Sequence, residues 1–211
     1  MKSFIIKDGF VIILGCFVAA IVLLLTAGPA WAAFPFALAL FMVFFFRNPE
    51  REHIQDDTLL LSPADGTVMD VSEFYDEEYL EAPAKKVTIF LSVFDVHVNR
   101  SPARGEIKYQ RYTCGVFRPA YKNVAVLENE RHAIGIENEL VKILVIQIAG
   151  ILARRIVSWV TLGCDLKQGQ RYGMIKFGSC TELVAPSNVE ILVRKGDKVK
   201  GGITVIGRLA S

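Results

Sequence analysis

The stretch Arg171–Pro186, RYGMIKFGSCTELVAP, decides how this chain reads. Both flanks have the look of strands. A glycine and a serine, Gly178-Ser179, interrupt them without a turn signal, and Cys180 follows. One reading is a β-bulge or strand bend, with glycine filling a backbone conformation closed to other residues. The other is a place where chemistry happens to the backbone itself. Working outward, the tail after Cys180 is a set of short apolar runs punctuated at Pro186, Gly196-Asp197 and Gly201-Gly202. Upstream, TLLLSPADGTVMDVSEF reads as strand, Asp65-Gly66 turn, strand. KKVTIFLSVFDVHVNRSP, GEIKYQRYTCGVF and RRIVSWVTL read as further strands, and HAIGIENELVKILVIQIAG as a hairpin around Glu137-Asn138. Many short strands with Gly/Pro punctuation predict a mainly β (α+β) fold, an antiparallel sandwich or barrel-like domain.

That domain does not account for the composition. The 211 residues are 52% hydrophobic, with a mean hydropathy of +0.37, more apolar than an ordinary soluble domain. The excess sits in the first 46 residues. FVIILGCFVAAIVLLLT (Phe10–Thr26) carries no charge, and FALALFMVFFF ends at Phe46. Gly28 and Pro29 lie between the two runs and favour a turn. Lys2 and Lys7 precede the first run, and Arg47 and Arg51 follow the second. With both flanks cytoplasmic, the positive-inside rule predicts a membrane helical hairpin, either spanning or re-entrant. A cleaved signal peptide ending at AWA is the competitor, but it leaves the second apolar run unexplained. The expected division is a hairpin over 1–50 and a catalytic or binding domain over 51–211, facing the cytoplasm. RNPEREHIQDD reads as a polar linker. A net charge of +2 demands no nucleic acid. Cys16, Cys114, Cys164 and Cys180 have no CxxC spacing and read as thiols in a reducing compartment, neither a disulfide frame nor a zinc site.

Few residues could do chemistry. There is no Gly-rich phosphate loop, no HExxH and no GxSxG elbow. The three histidines have no ligand spacing, so no metal is expected. His53 lies in the linker, and His132, after ENER, is expected at a turn. In FDVHVNR, alternation puts Asp95, His97 and Asn99 on one face of a strand; a plain solvated face is the alternative. Asp65 alone reads as a turn residue. At Gly178-Ser179 a serine hydroxyl could attack the carbonyl before it, since glycine leaves that carbonyl accessible. Such a serine needs a base, and the base an orienting acid; His97 and Asp65 could serve. Arg118, Arg154 and Arg155 are candidates for gripping a phosphate or carboxylate, or are surface charges. VRKGDKVKGG, with Lys195 beside a hairpin tip, has a look of biotinyl- or lipoyl-carrier sandwiches, though its surroundings do not match. A membrane-anchored scaffold or carrier module is therefore the non-catalytic alternative.

FFFRNPER, SPADGTV, DVHVNRSP, PAYKNVAVLENER, IAGILARRIV and GMIKFGS, in that order, resemble the short prokaryotic form of the pyruvoyl-dependent phosphatidylserine decarboxylases. The resemblance runs along nearly the whole chain. It implies a proenzyme that cuts itself between Gly178 and Ser179 into a β chain (1–178) and an α chain (179–211), which stay together as a heterodimer. It implies a covalent pyruvoyl cofactor made from Ser179. Asp65, His97 and Ser179 would be the catalytic residues of self-cleavage. The mature enzyme would decarboxylate phosphatidylserine to phosphatidylethanolamine and CO2 through a Schiff base, in phospholipid biosynthesis. The substrate would be a phospholipid of the cell (inner) membrane, reached from the cytoplasmic side, and a homo-oligomer is admitted. Two departures stand out. Longer members carry two histidines in the DVHVNR segment, whereas here Arg100 stands where the second would fall. They also carry LGST where this chain has FGSC.

Overall fold

The computed structural model describes residues 4–52, 55–115, 129–150, 156–176 and 179–210. The chain divides into two compact units, Met1–Glu50 and Arg51–Ser211.

The first unit is a pair of helices, α1 (Lys7–Thr26) and α2 (Pro29–Phe45). Gly28 turns the chain between them at φ +93°, and Pro29 opens α2, a first-turn position where its missing N–H costs nothing. The Ile6 N–H donates to the Phe46 carbonyl at 3.1 Å, and Ile5 bridges Arg47, so the start of α1 lies beside the end of α2. The Phe17 and Phe36 rings meet edge to face, 6.1 Å between centroids. The outward surface is apolar: Leu25 is 80% exposed and Phe34 76%. A patch this large calls for an apolar environment. By length and composition α1 could cross a membrane; α2, at 17 residues, is shorter.

The second unit is β throughout. Its strands are β1 (Leu59–Leu61), β2 (Gly66–Asp76), β3 (Ala82–Leu91), β4 (Val98–Arg100), β5 (Gly105–Thr113), β6 (Arg131–Glu137) and β7 (Lys142–Ala149). After them come β8 (Ile156–Ser158), β9 (Asp165–Leu166), β10 (Arg171–Ile175), β11 (Ser179–Pro186), β12 (Glu190–Ile191), β13 (Lys198–Val199) and β14 (Val205–Arg208). The main sheet, ordered β13-β2-β3-β11-β7-β6-β5-β9, curls into a half-barrel. Two three-stranded sheets, β1-β14-β12 and β4-β10-β8, complete the domain. The expected antiparallel, barrel-like architecture is therefore present. The expected hairpin is β6–β7, with the Asn138 side chain accepting from the Leu140 and Val141 N–H groups in its loop.

Strand alternation gives the main sheet two buried faces. Leu183, Ile89, Val145 and Ile134 belong to the larger core on one face. Cys180, Val184, Ile148 and Ala133 belong to a smaller cluster on the other, covered by Tyr79 and Leu80 from the β2–β3 connection. By the same alternation Ser179 and Thr181 share the face of Leu183, and Cys180 points the opposite way.

Candidate active site

Pairing register gathers the candidate residues at one end of the main sheet. Thr67, Phe90, Cys180 and Ile148 form one cross-strand row. The next row outward carries Leu91, Ser179 and Ala149. Asp65 immediately precedes β2 at this same end. Gly66 is required there: at φ +155° a Cβ would run into the Phe90 carbonyl.

The β4-β10-β8 sheet lies over the face that carries Ser179. Asn99 on β4 donates to Thr181 Oγ1 at 3.0 Å, and Gln147 on β7 donates to Asn99 Oδ1 at 2.9 Å. Ile156 and Ile175 pack on Ala149 in a buried cluster. Two residues back from the Asn99–Thr181 bond stand His97 on one segment and Ser179 on the other. Further along the same layer, the Ile175 N–H donates to the His97 carbonyl at 3.2 Å.

His97 is fully buried, which removes the solvated-face alternative. The strand expected over DVHVNR is shorter, because Asp95 turns back on Ser92. Its N–H donates to the Ser92 carbonyl at 2.9 Å, and its carboxylate accepts the Ser92 N–H at 2.8 Å. Only Val98–Arg100 is strand. His97 Nδ1 lies 3.0 Å from the Asp95 carbonyl. A carbonyl only accepts, so Nδ1 carries a hydrogen; in the neutral ring Nε2 is then the accepting nitrogen, the tautomer a base needs.

Asp65 is 8% exposed, and its partner was not foreseen. Arg51 grips the carboxylate with two nitrogens, at 2.5 and 2.7 Å. The Gly201 N–H adds a third bond at 2.8 Å, and Arg51 also donates to the Gly201 carbonyl at 2.5 Å. Arg51 read as part of a linker and as a positive flank of the apolar segment. It closes the FFFRNPER motif of the family resemblance, but nothing in the residues paired it with Asp65, since its partners lie 14 and 150 positions away. Arg100 is buried as well and donates to the Gly169 carbonyl at 3.2 Å. Burial first, then Arg51 and Arg171, pull its pKa down to about 10 against the pull of Asp65. Three arginines around one carboxylate leave this part of the domain positive.

Ser179 is fully buried, and its hydroxyl has no hydrogen-bond partner among the described residues. An orphaned buried hydroxyl costs about 1–3 kcal/mol, so its presence needs a reason. Cys180 packs on the far face, 3.9 Å from the Met69 sulfur, and burial pushes its thiol up to about 12. It is a core residue turned away from the Ser179 hydroxyl. His132, expected at a turn, is instead a buried member of β6: the apolar alternation after it extends one strand back to Arg131. Asn129, just before, donates to the Ala149 carbonyl at 2.7 Å, beside the row that holds Ser179. Arg118, Arg154, Arg155, Gly178 and His53 lie outside the described residues.

Comparison with known proteins covers the same ground. The profile of the family described as phosphatidylserine decarboxylase matches residues 38–207. A protein of Carboxydothermus hydrogenoformans is 56% identical over 175 residues, 82% of each chain. One of Symbiobacterium thermophilum is 46% identical over 209 residues, 99% of this chain and 97% of that one. One of Syntrophus aciditrophicus is 41% identical over 207 residues, 97% of each. All three are named phosphatidylserine decarboxylase proenzyme.

Proposed function

The chain belongs to the phosphatidylserine decarboxylase family of carboxy-lyases, and from that premise we propose that it is a proenzyme cutting itself between Gly178 and Ser179. The mature protein then converts phosphatidylserine to phosphatidylethanolamine and CO2. The observation that carries this reading is the Ser179 hydroxyl, buried and without a partner among the described residues, on the sheet face over which the His97 segment lies. In the proposed step Nε2 of His97 accepts the hydroxyl proton as Ser179 Oγ attacks the Gly178 carbonyl. The proton passes from His97 to the Ser179 nitrogen as the peptide C–N bond breaks, so the peptide is exchanged for an ester. Loss of the Ser179 α-proton then expels the Gly178 carboxylate, which cuts the chain and leaves dehydroalanine. Water converts that residue to a pyruvoyl group with release of ammonia. Asp65, held by Arg51, is proposed to stabilise the imidazolium that forms on His97.

Ser179 at the start of β11 suits a covalent pyruvoyl group, since its conversion would break no side-chain hydrogen bond to the described residues. That group supplies an electrophilic ketone for the substrate amine and a sink for the electrons released with CO2. The residues of this chain do the rest. Arg100 and Arg171 supply positive charge for the anionic headgroup, and Arg118, Arg154 and Arg155 are proposed as further phosphate or carboxylate contacts. The α chain (179–211) would stay bound to the β chain (1–178). Its β11 is paired along its length with β3 and from Ser179 to Val184 with β7, and its β14 pairs with β1. The hairpin over 1–50 would hold the catalytic domain, 51–211, at the cytoplasmic face of the cell membrane, where the phospholipid headgroup is presented.

Intact-mass measurement and a denaturing gel of the purified chain test this. The expected result is a heavy fragment ending at Gly178 and a light one with a blocked N-terminus, both absent in Ser179→Ala. A single uncut wild-type chain that releases no CO2 from phosphatidylserine would refute it.

A further inference from the structure

A buried row of side chains crosses the strands under the β4-β10-β8 layer, and both its ends are backbone carbonyls. At one end Asn99 Nδ2 faces the Pro63 carbonyl at 3.4 Å as well as Thr181 Oγ1. Gln147 Nε2 donates to Asn99 Oδ1 at 2.9 Å. Gln147 Oε1 lies 3.1 Å from His132 Nδ1. His132 Nε2 lies 2.9 Å from Gln110 Nε2, which also reaches the Val160 carbonyl at 3.4 Å.

Carbonyls accept and never donate, so each end turns the adjacent amide nitrogen toward itself. The direction then propagates inward from both ends and meets consistently at the histidine. Nδ1 must carry the hydrogen that goes to Gln147, and Nε2 must accept from Gln110. His132 is therefore held neutral, as the Nδ1–H tautomer. An imidazolium would set an N–H against the Gln110 amino group, and turning that amide would set its oxygen against the Val160 carbonyl.

We propose that His132 is a positioning residue for self-cleavage: its neutral Nδ1–H tautomer orients Gln147 and Asn99, and Asn99 pins the His97 segment onto β11 at Thr181, two residues from Ser179. The proposal rests on the self-cleavage reading above. The groups facing the ring are Gln110 and Tyr112 on β5 and Gln147 on β7. On its own strand Glu130 and Arg131 precede it. Burial lowers its pKa from the ordinary 6.5, with the Gln147 bond opposing.

The test follows cleavage of the full chain over time in detergent. His132→Phe and Gln147→Met, which break the row, should slow cleavage about tenfold or more, since small misplacements of reacting groups carry large rate costs. His132→Gln, which can still donate on one side and accept on the other, should restore most of the rate. In the uncut Ser179→Ala chain carrying 15N-histidine, the ring whose signals vanish in His132→Gln should be in the neutral Nδ1–H form at pH 7; His97 supplies a second Nδ1–H ring that remains in that variant. Wild-type cleavage rates in both row-breaking variants, a His132→Gln chain as slow as His132→Phe, or a protonated or Nε2–H ring would each overturn the proposal. Should the row-breaking variants not fold, the ring form alone decides. A wild-type chain that never cleaves would sink the self-cleavage reading instead, and the ring form would still be measured.

Discussion

Replacing Arg51 by methionine tests the least expected contact at the site. The Arg51 and Asp65 side chains are 7% and 12% exposed, so the pair is well withdrawn from water. Methionine keeps much of the apolar stem and removes both bonds to the carboxylate and the bond to Gly201. Asp65 would keep only the Gly201 N–H. Removing one partner of a buried pair costs about 3–5 kcal/mol, because the other charge is left uncompensated. In a domain of this size each kcal/mol moves the midpoint by about 2–4 °C, so a fall of about 6–20 °C is expected. The assay is thermal and urea unfolding of the uncut Ser179→Ala chain in detergent. The double variant Arg51→Met/Asp65→Leu removes both charges and should recover at least half of the loss, the rest reflecting the Gly201 N–H left without its acceptor. With Ser179 restored, the double variant should fold but cleave slowly, since Asp65 is gone. A loss below about 1 kcal/mol for Arg51→Met alone would refute the reasoning, that being the level of a solvated pair.

Other consequences can be checked alongside. His132 is neutral in both folded and unfolded chains well above pH 6.5 and gives no slope there. Below its ordinary value of 6.5 the unfolded chain takes the proton first, so stability should fall with pH until the folded ring protonates. His132→Gln should flatten that part of the urea-midpoint profile, and an unchanged slope would contradict the neutral buried ring. The Cys180 thiol, buried and raised to about 12, should resist alkylation at pH 8 while exposed Cys114 reacts; rapid labelling of Cys180 in the folded chain would contradict its place in the core. Gly66→Ala forces a Cβ against the Phe90 carbonyl and should cost about 1–3 kcal/mol or more, read as a lowered urea midpoint.

The sequence made some of this legible and hid the rest for physical reasons. Short alternating runs announced the antiparallel sheet because a strand's period is local. The Asp65-Gly66 pair announced a turn, and glycine is indeed demanded there by the Phe90 carbonyl. Two apolar runs separated by Gly28-Pro29 announced the paired helices. Arg51 stayed hidden because its bonds to Asp65 and Gly201 close across long stretches of chain, and an arginine after an apolar run has a simpler reading. His132 stayed hidden because ENER before it is polar, and a polar run reads as a turn. DVHVNR read as one strand because its alternation is good, but the Asp95 carboxylate capping the Ser92 N–H ends that alternation early. That Ser179 and Cys180 face opposite sides followed from period two. That the Ser179 hydroxyl has no partner among the described residues could not follow from the sequence, because a partner is a matter of three dimensions.

The polar groups of the layer over Ser179 are joined to one another, while the Ser179 hydroxyl, like the buried Tyr172 hydroxyl and Glu130 Oε1, has no hydrogen-bond partner among the described residues. Asp65 accepts three bonds from Arg51 and Gly201; Asn99, Thr181, Gln147 and His132 are joined in one row. A sequence shaped for stability alone would place alanine at 179, as it does at Ala149 next to it in the same row. Keeping an unsatisfied hydroxyl there is the kind of local rule-breaking expected where chemistry, not packing, decides the residue. The cost of that hydroxyl can be measured. On a His97→Gln background, in which the proposed base is gone and the chain stays uncut, Ser179→Ala should raise stability by about 1–3 kcal/mol, the cost of the orphaned group. Equilibrium urea unfolding of the two uncut chains gives the difference. A His97→Gln chain that still cuts would show that His97 is not the base. A Ser179→Ala change that lowers stability would show that the hydroxyl is bonded after all, and the structural case for its reactivity would fall.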